Sequence, residues 1–166
     1  MSANLTAEEL IDRYADMVYR LALTEVKNKT DAEDIFQEVF IRLLKNLHKL
    51  DSEEHAKAWL IRVTINCARK HFASYWNRNV DFITEDTDMG KESEELETLL
   101  EGEGPVLEAV RRLPEKYRIV VHLFYFEDFS VSEVSKILKT TENTIKTQLH
   151  RARKLLKEML EGGVNP

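Results

Sequence analysis

Apolar residues recur three and four positions apart along most of this chain, with polar residues filling the gaps. Leu10, Tyr14, Met17, Val18, Leu21 and Ala22 form the first such stripe. Thr6-Ala-Glu-Glu9 precedes it as a capping box, in which hydroxyl and carboxylate satisfy each other's orphan amides. A second box, Thr30-Asp-Ala-Glu33, predicts a helix running to about Leu47, with Ile35, Phe36, Val39, Phe40, Leu43, Leu44 and Leu47 inside. A start near Asp51 to Glu54 leads into a helix over about His55–Tyr75, where Trp59, Leu60, Val63, Ile65 and Ala68 face inward. Pro114 suits the first turn of a helix ending near Phe126. Asp128-Phe-Ser130 reads as a turn, and Ser130-Val-Ser-Glu133 is another capping box. Nothing alternates with period two over a useful length, so the expected fold class is all-α.

The last quarter of the chain predicts two short helices joined by a tight turn. In the second of them, Asn143, Lys146, Thr147, His150, Arg151, Arg153, Lys154 and Lys157 share one arc, and Ile145, Leu149, Ala152, Leu156 and Leu160 the opposite one. A helix that packs on one side and carries cations and hydrogen-bonding groups on the other suits a major groove flanked by phosphates. DNA is therefore the first partner to consider. The turn reads Leu138-Lys-Thr-Thr141, without glycine, so a left-handed residue there costs about 1–2 kcal/mol and a reshaped turn is expected.

Composition sharpens this picture. The chain of 166 residues has room for one domain or two small ones, and 43% hydrophobic content supports a packed core. No apolar run approaches the about 18 residues that span a bilayer, and the first residues lack a hydrophobic signal region. One cysteine, Cys67, excludes an internal disulfide framework, so a soluble protein of the reducing cytoplasm is expected, with no direct membrane insertion. The net charge of −6 argues against nucleic acid only until it is located. Residues 1–80 are balanced, residues 81–104 hold ten acids against one lysine, and residues 105–166 carry +3. The acidic middle, with three of the five glycines, marks an extended linker with a short helical turn around Glu94–Leu100. The expected organisation is therefore two small helical domains, 1–80 and 105–166, joined by the acidic linker 81–104.

Two helices of the first block carry unusual polar faces. Asp34, Gln37, Glu38, Ile41, Arg42 and Lys45 oppose the apolar stripe of their helix. Taken alone this helix reads as an ordinary solvated face. Yet Asp34 and Glu38 are like charges at i, i+4, a mild penalty unless a cation meets them, and a basic, partly apolar partner surface would resolve it. In the next helix Lys57, Arg62, Asn66, Arg69, Lys70 and Arg78 are interleaved with His71, Phe72, Tyr75 and Trp76, a mixture that suits melted nucleic acid. Trp59 and Phe72 also suit the closing of a small core. Cys67 and His71 stand at i, i+4 but no second pair has ligand spacing, so no metal site is expected. There is no phosphate-cradling glycine loop, no nucleophile elbow and no catalytic set, so neither an enzyme nor a cofactor is expected.

Three segments together resemble bacterial sigma factors of the extracytoplasmic-function class, within the sigma-70 family. Asp31-Ala-Glu-Asp-Ile-Phe-Gln-Glu-Val-Phe-Ile-Arg-Leu-Leu44 resembles the segment that binds core RNA polymerase. Trp59-Leu-Ile-Arg-Val-Thr-Ile-Asn-Cys-Ala-Arg-Lys70 resembles the helix that recognises the −10 promoter element. Leu113-Pro-Glu-Lys-Tyr-Arg118, Phe124 to Val134 and Thr144 to Arg153 resemble the helix-turn-helix that binds the −35 element. The resemblance implies a region 2 helical bundle and a region 4 helix-turn-helix domain, and promoter-directed transcription initiation without covalent chemistry. It implies core polymerase binding by Asp34, Gln37, Glu38 and Ile41, and −10 contacts from Arg62, Asn66, Arg69 and Lys70. It implies −35 contacts from Asn143, Lys146, Thr147, His150, Arg151, Arg153 and Lys154, the last two on phosphate. The segment Leu47 to Glu54 matches the loop that captures a flipped base in this class, but here it is acidic and poor in aromatics. The resemblance also implies an anti-sigma factor, commonly membrane-tethered, as an inhibitory partner. Two other readings stay open on the residues alone. One is a stand-alone DNA-binding regulator with a dimerising amino-terminal block, and the other a helical interaction protein that imitates a sigma factor.

Overall fold

The computed structural model describes residues 6–79 and 104–162, and these fall into two compact units, each built of helices. The first unit contains α1 (Ala7–Val26), α2 (Lys29–Asn46), a 3-10 turn at Leu47–Lys49, and α3 (Glu53–Asn79). The second contains α4 (Gly104–Arg112), α5 (Glu115–Val121), a π-helical turn at His122–Phe126, α6 (Val131–Leu138) and α7 (Glu142–Gly162). No strand occurs among the described residues. The acidic stretch 81–103, with the turn expected around Glu94–Leu100, and the side chains of Phe72, Tyr75, Trp76 and Arg78 lie outside the described residues.

Each of α1, α2 and α3 packs against the other two. Leu10, Val18, Leu21 and Ala22 of α1 meet Ala32, Ile35, Val39 and Leu43 of α2 and Leu60, Ile61 and Ile65 of α3 in one core. The Thr6 box forms as expected, Glu9 N–H donating to Thr6 Oγ1 at 3.1 Å and Thr6 N–H to Glu9 Oε1 at 3.3 Å. The box expected at Thr30 does not form. Asn28 caps α2 instead, accepting from Asp31 N–H at 2.8 Å and donating Nδ2–H to Asp31 Oδ2 at 2.7 Å. The chain reaches Asn28 through Lys27 in a left-handed turn, φ 68°, whose N–H bonds back to Leu23. Asparagine caps better than threonine, so the helix opens early and leaves Thr30 inside its first turn. On α3, Trp59 and Val63 are only half-buried while Ile61, Thr64 and Cys67 are buried. A helix covered by two neighbours buries more than one stripe.

The start of α3 is tied to α1 by polar contacts. Ser52 Oγ accepts from His55 N–H at 3.0 Å as an N-cap would. Glu53 receives Tyr14 Oη–H at 2.7 Å and pairs with the Arg13 guanidinium. The Tyr14 bond first, and the Arg13 bond next, hold the Glu53 carboxyl below its ordinary value. Burial first, and the bond to Glu53 next, push the Tyr14 hydroxyl up.

In the second unit α7 packs on α4, α5 and α6, with Ile145, Leu149 and Ala152 buried against Leu107, Val110, Leu113, Ile119, Leu123, Val134 and Ile137. The short α4 is an element that the hydrophobic pattern above did not predict, although Pro105 stands in its first turn and Leu107 and Val110 share its inner face. The helix expected to continue to Phe126 stops being α-helical at Val121 and closes as the π turn, with Glu127 N–H donating to His122 O at 3.1 Å. The Ser130 capping box forms, its two bonds 2.8 and 3.0 Å long. Beyond α6 the turn is left-handed at Lys139, φ 59° and ψ 47°. Lys139 N–H reaches Lys136 O and Thr140 N–H reaches Ser135 O, the paired bonds of a Schellman turn. The turn therefore keeps the geometry that glycine would adopt, rather than being reshaped, and a lysine bears the strain.

Two outcomes are expected. Lys139→Gly should raise unfolding stability by about 1 kcal/mol or less, because the gain in backbone fit is partly offset by greater freedom of the unfolded chain; chemical denaturation measures it. Because the folded Glu53 carboxyl lies below its reference value of 4.5, its contribution is complete above that value and is lost as pH falls below it. A Glu53→Gln variant should therefore show a flatter acid limb in a pH series of thermal melts.

Candidate polymerase and nucleic-acid surfaces

Because Ala32, Ile35, Val39 and Leu43 turn α2 inward, Asp34, Gln37, Glu38 and Ile41 all lie on its exposed face. Leu44, placed in the core by its spacing, is instead 61% exposed, one turn beyond Ile41 at 48%. Phe36 and Leu47 are half-buried. The exposed face is thus longer and more apolar at its carboxy-terminal end than the sequence pattern predicts. Its acids are also partly matched within the chain. Arg42 Nε–H donates to Glu38 Oε2 at 2.7 Å, and that bond is the largest cause holding the Glu38 carboxyl below its ordinary value. The charges of Lys70 and Lys45 act in the same direction. Lys70 belongs to α3, so the acidic face of α2 and the basic face of α3 meet along one edge.

Near the other end of α2, His71 Nε2 lies 2.9 Å from Asp31 Oδ1, and Asp34 offers a further carboxylate within 4.8 Å of both. Asp31 is already engaged by Asn28, so the group reads as a polar contact between two helices with an exposed acid beside it. The i, i+4 pairing of Cys67 with His71 does not arise in this packing. Cys67 is buried, its thiol pushed up by that burial, and His71 is turned to α2.

On α3, Asn66, Arg69 and Lys70 are exposed and Arg62 is half-buried, at the i, i+4, i+7 and i+8 positions of one outward stripe. The segment before α3 is a compact corner, with Leu50 buried and His55 Nδ1 3.1 Å from Asp51 Oδ1. His48, Lys49, Asp51 and Glu54 are its exposed side chains.

In the second unit the two arcs of α7 are separated as its pattern predicts. Asn143, Lys146, Thr147, His150, Arg151, Arg153, Lys154 and Lys157 are exposed, and Ile145, Leu149 and Ala152 are buried. Leu156 is half-buried and Leu160 exposed, because α7 runs on past the helices that cover it. Thr141 Oγ1 accepts Thr144 N–H at 3.1 Å, fixing the amino-terminal turn that leads the exposed face. Arg153 does not stand alone on that face. Its Nε–H donates to Tyr125 Oη at 2.6 Å. Tyr125 was given no role because the sequence placed it only near the end of a helix, whereas the π turn leaves it 46% exposed.

Comparison with known proteins finds two family models on this chain. The Sigma-70 region 2 family model matches residues 10–78, and the Sigma-70, region 4 model matches residues 104–156. The ECF RNA polymerase sigma factor SigW of Bacillus subtilis is 32% identical over 163 residues, covering 92% of this chain and 87% of SigW. SigM of the same organism is 30% identical over 172 residues, covering 97% and 99%. Among solved structures, RpoE of Bartonella quintana, determined with the anti-sigma factor NepR, matches with a TM-score of 0.73 at 17% identity, covering 93% of this chain and 96% of that one. CnrH, determined with the cytosolic domain of CnrY, matches with a TM-score of 0.68 at 17% identity, covering 95% and 89%. At that identity the two structures speak for the fold.

Removing the cation that faces Glu38 should return its carboxyl toward 4.5. An Arg42→Ala variant is expected to show this upward shift for Glu38 in a side-chain carboxyl NMR titration, measured against the wild-type chain.

Proposed function

The chain belongs to the sigma-70 family of RNA polymerase sigma factors, in the extracytoplasmic-function class, and on that premise we propose how its surfaces divide the work. The shared function is promoter-directed initiation by RNA polymerase, in which the sigma chain is a specificity subunit and not an enzyme. Its site of action is the cytoplasmic polymerase, and no described helix is long and apolar enough to cross a membrane.

Asp34, Gln37, Glu38 and Ile41, extended by Leu44, form the docking face for core polymerase. The exposed Ile41 and Leu44 supply the apolar anchor, and the acids supply orientation toward a basic partner. Arg62, Asn66, Arg69 and Lys70 hold the −10 element, and the corner at 47–54 lies where the flipped base is received. Unpairing and unstacking one base costs a few kcal/mol, which a protein pocket can offset without ATP. Asn143, Lys146, Thr147, His150 and Arg151 read the −35 major groove, while Arg153 and Lys154 grip its phosphates. The observation that carries this reading is the separation on α7, where each of these cations and polar groups is exposed and the opposite row is sealed in the core.

The domain division follows: residues 1–80 act on polymerase and the −10 element, residues 105–166 on the −35 element, and the acidic 81–104 links them. An anti-sigma factor, tethered at the membrane, is the inhibitory partner, and it covers the α2 face so that polymerase and inhibitor compete. RpoE of Bartonella quintana, which shares the fold, was solved in complex with an anti-sigma factor.

Run-off transcription from a pool of genomic fragments, with core polymerase and with or without this chain, tests the reading. Discrete new start sites are expected, and aligning them yields both promoter elements. Asp34→Ala/Glu38→Ala should weaken core binding by about tenfold or more and erase the new starts. New starts that persist in the double variant would refute the docking face. Duplex DNA binding with no starts at all would return the chain to the stand-alone regulator reading.

A further inference from the structure

Arg153 and Tyr125 come from different elements and are joined more closely than the exposed stripe of α7 requires. Lys146, His150, Arg153 and Lys157 follow one another at spacings of four, three and four residues, so Arg153 shares the outward face. Yet its guanidinium also lies over the Tyr125 ring, 5.7 Å from the centroid, and its Nε–H donates to the Tyr125 oxygen at 2.6 Å. A tyrosine that accepts this bond keeps its own O–H to donate. The guanidinium keeps its other four N–H groups, all on Nη1 and Nη2. Side by side, the two residues present donors and a positive charge, which is the complement of an anion with several acceptor oxygens.

The position of Tyr125 is fixed from below. It belongs to the π turn, a geometry that recurs at functional positions. The ends of that turn are joined by His122 Nε2 and Glu127 Oε2, 3.0 Å apart, with side chains only 1% and 5% exposed. The His122 ring also meets Phe126 edge to face at 5.3 Å, and Phe124 meets Tyr125 the same way at 4.9 Å. His122 and Leu123 face the core while Tyr125 is left outside, against α7. An arginine already held in one geometry loses less side-chain freedom when its anion arrives.

Its place along α7 selects the anion. The helix starts at Glu142, and Arg153 follows about three turns later. In a helix-turn-helix the amino-terminal residues of the reading helix meet base edges, and other contacts hold the backbone. We propose that Tyr125 and Arg153 form a clamp for one DNA backbone phosphate, Arg153 supplying the charge and Tyr125 both positioning it and donating its hydroxyl. This rests on the DNA-facing reading of α7 given above.

The test is equilibrium binding of holoenzyme, made from core polymerase and the full chain, to a promoter duplex recovered by the run-off mapping. Wild type, Tyr125→Phe, Arg153→Ala, their double variant and Lys146→Ala are compared from about 50 to 200 mM salt. Arg153→Ala should weaken binding about tenfold and make the log–log salt slope shallower by about one. Tyr125→Phe, which keeps the ring and its packing, should weaken binding about threefold, and should cost clearly less once Arg153 is gone, because only its own hydroxyl contact then remains to be lost. The preference for the promoter over a duplex scrambled in its −35 element should stay the same in these three variants, because a phosphate contact carries no sequence. If Tyr125→Phe binds like wild type, or its penalty adds in full to that of Arg153→Ala, while Lys146→Ala weakens binding, the clamp is overturned and the DNA face stands. If Lys146→Ala also binds like wild type, the DNA face itself falls, and the clamp with it.

Discussion

Ile145, Leu149 and Ala152 are sealed at the centre of the second unit, and a helix held along that row has no freedom over which residues it presents outward. The same holds for α2, where Ala32, Ile35, Val39 and Leu43 set the opposite face. Units of this size bury a smaller fraction of their chain than larger domains do, so each helix commits to the core the apolar residues that its neighbours cover. The exposed rows proposed above as recognition faces are what remains. Their geometry therefore depends on packing that none of their own residues makes, and a cavity in either core would disturb recognition as readily as a change at the surface.

Polar contacts then refine where the helices begin and how they meet. Asn28 and Asp31 satisfy each other at the head of α2, while Glu53 draws the head of α3 onto Arg13 and Tyr14 of α1. In the second unit the buried His122–Glu127 pair closes the π turn. Such contacts add little energy where they are exposed, yet each sets the angle of an element whose apolar face is not selective about register. That is how a short exposed row of side chains acquires a defined direction.

Electrostatics is local in this protein. The net charge of −6 belongs to an acidic middle, and the basic end carries the proposed DNA-binding face. On the first unit, opposite signs lie on adjacent helices, with Glu38 of α2 influenced by Lys70 of α3. On the division of surfaces proposed above, a polymerase surface and a nucleic-acid strand would meet faces of opposite sign.

The all-α class, the Thr6 and Ser130 caps and the two arcs of α7 were legible in the sequence, because caps and helical periods are short-range and their chemistry lies within four residues. The exposed positions Asp34, Gln37, Glu38, Ile41, Asn66, Arg69 and Lys70 were legible for the same reason. Other features were not. Thr30 competed with Asn28 for the same cap, and only the left-handed turn at Lys27 shows which one the chain reaches. Leu44 has the spacing of a core residue, but spacing reports which residues share a face, not how much of it the neighbouring helices cover. Tyr14 and Glu53 are 39 residues apart, and Tyr125 and Arg153 are 28 apart. No periodicity connects residues at such separations. Tertiary packing alone decided that these side chains meet, since it places one helix against another and so determines which polar groups come within reach.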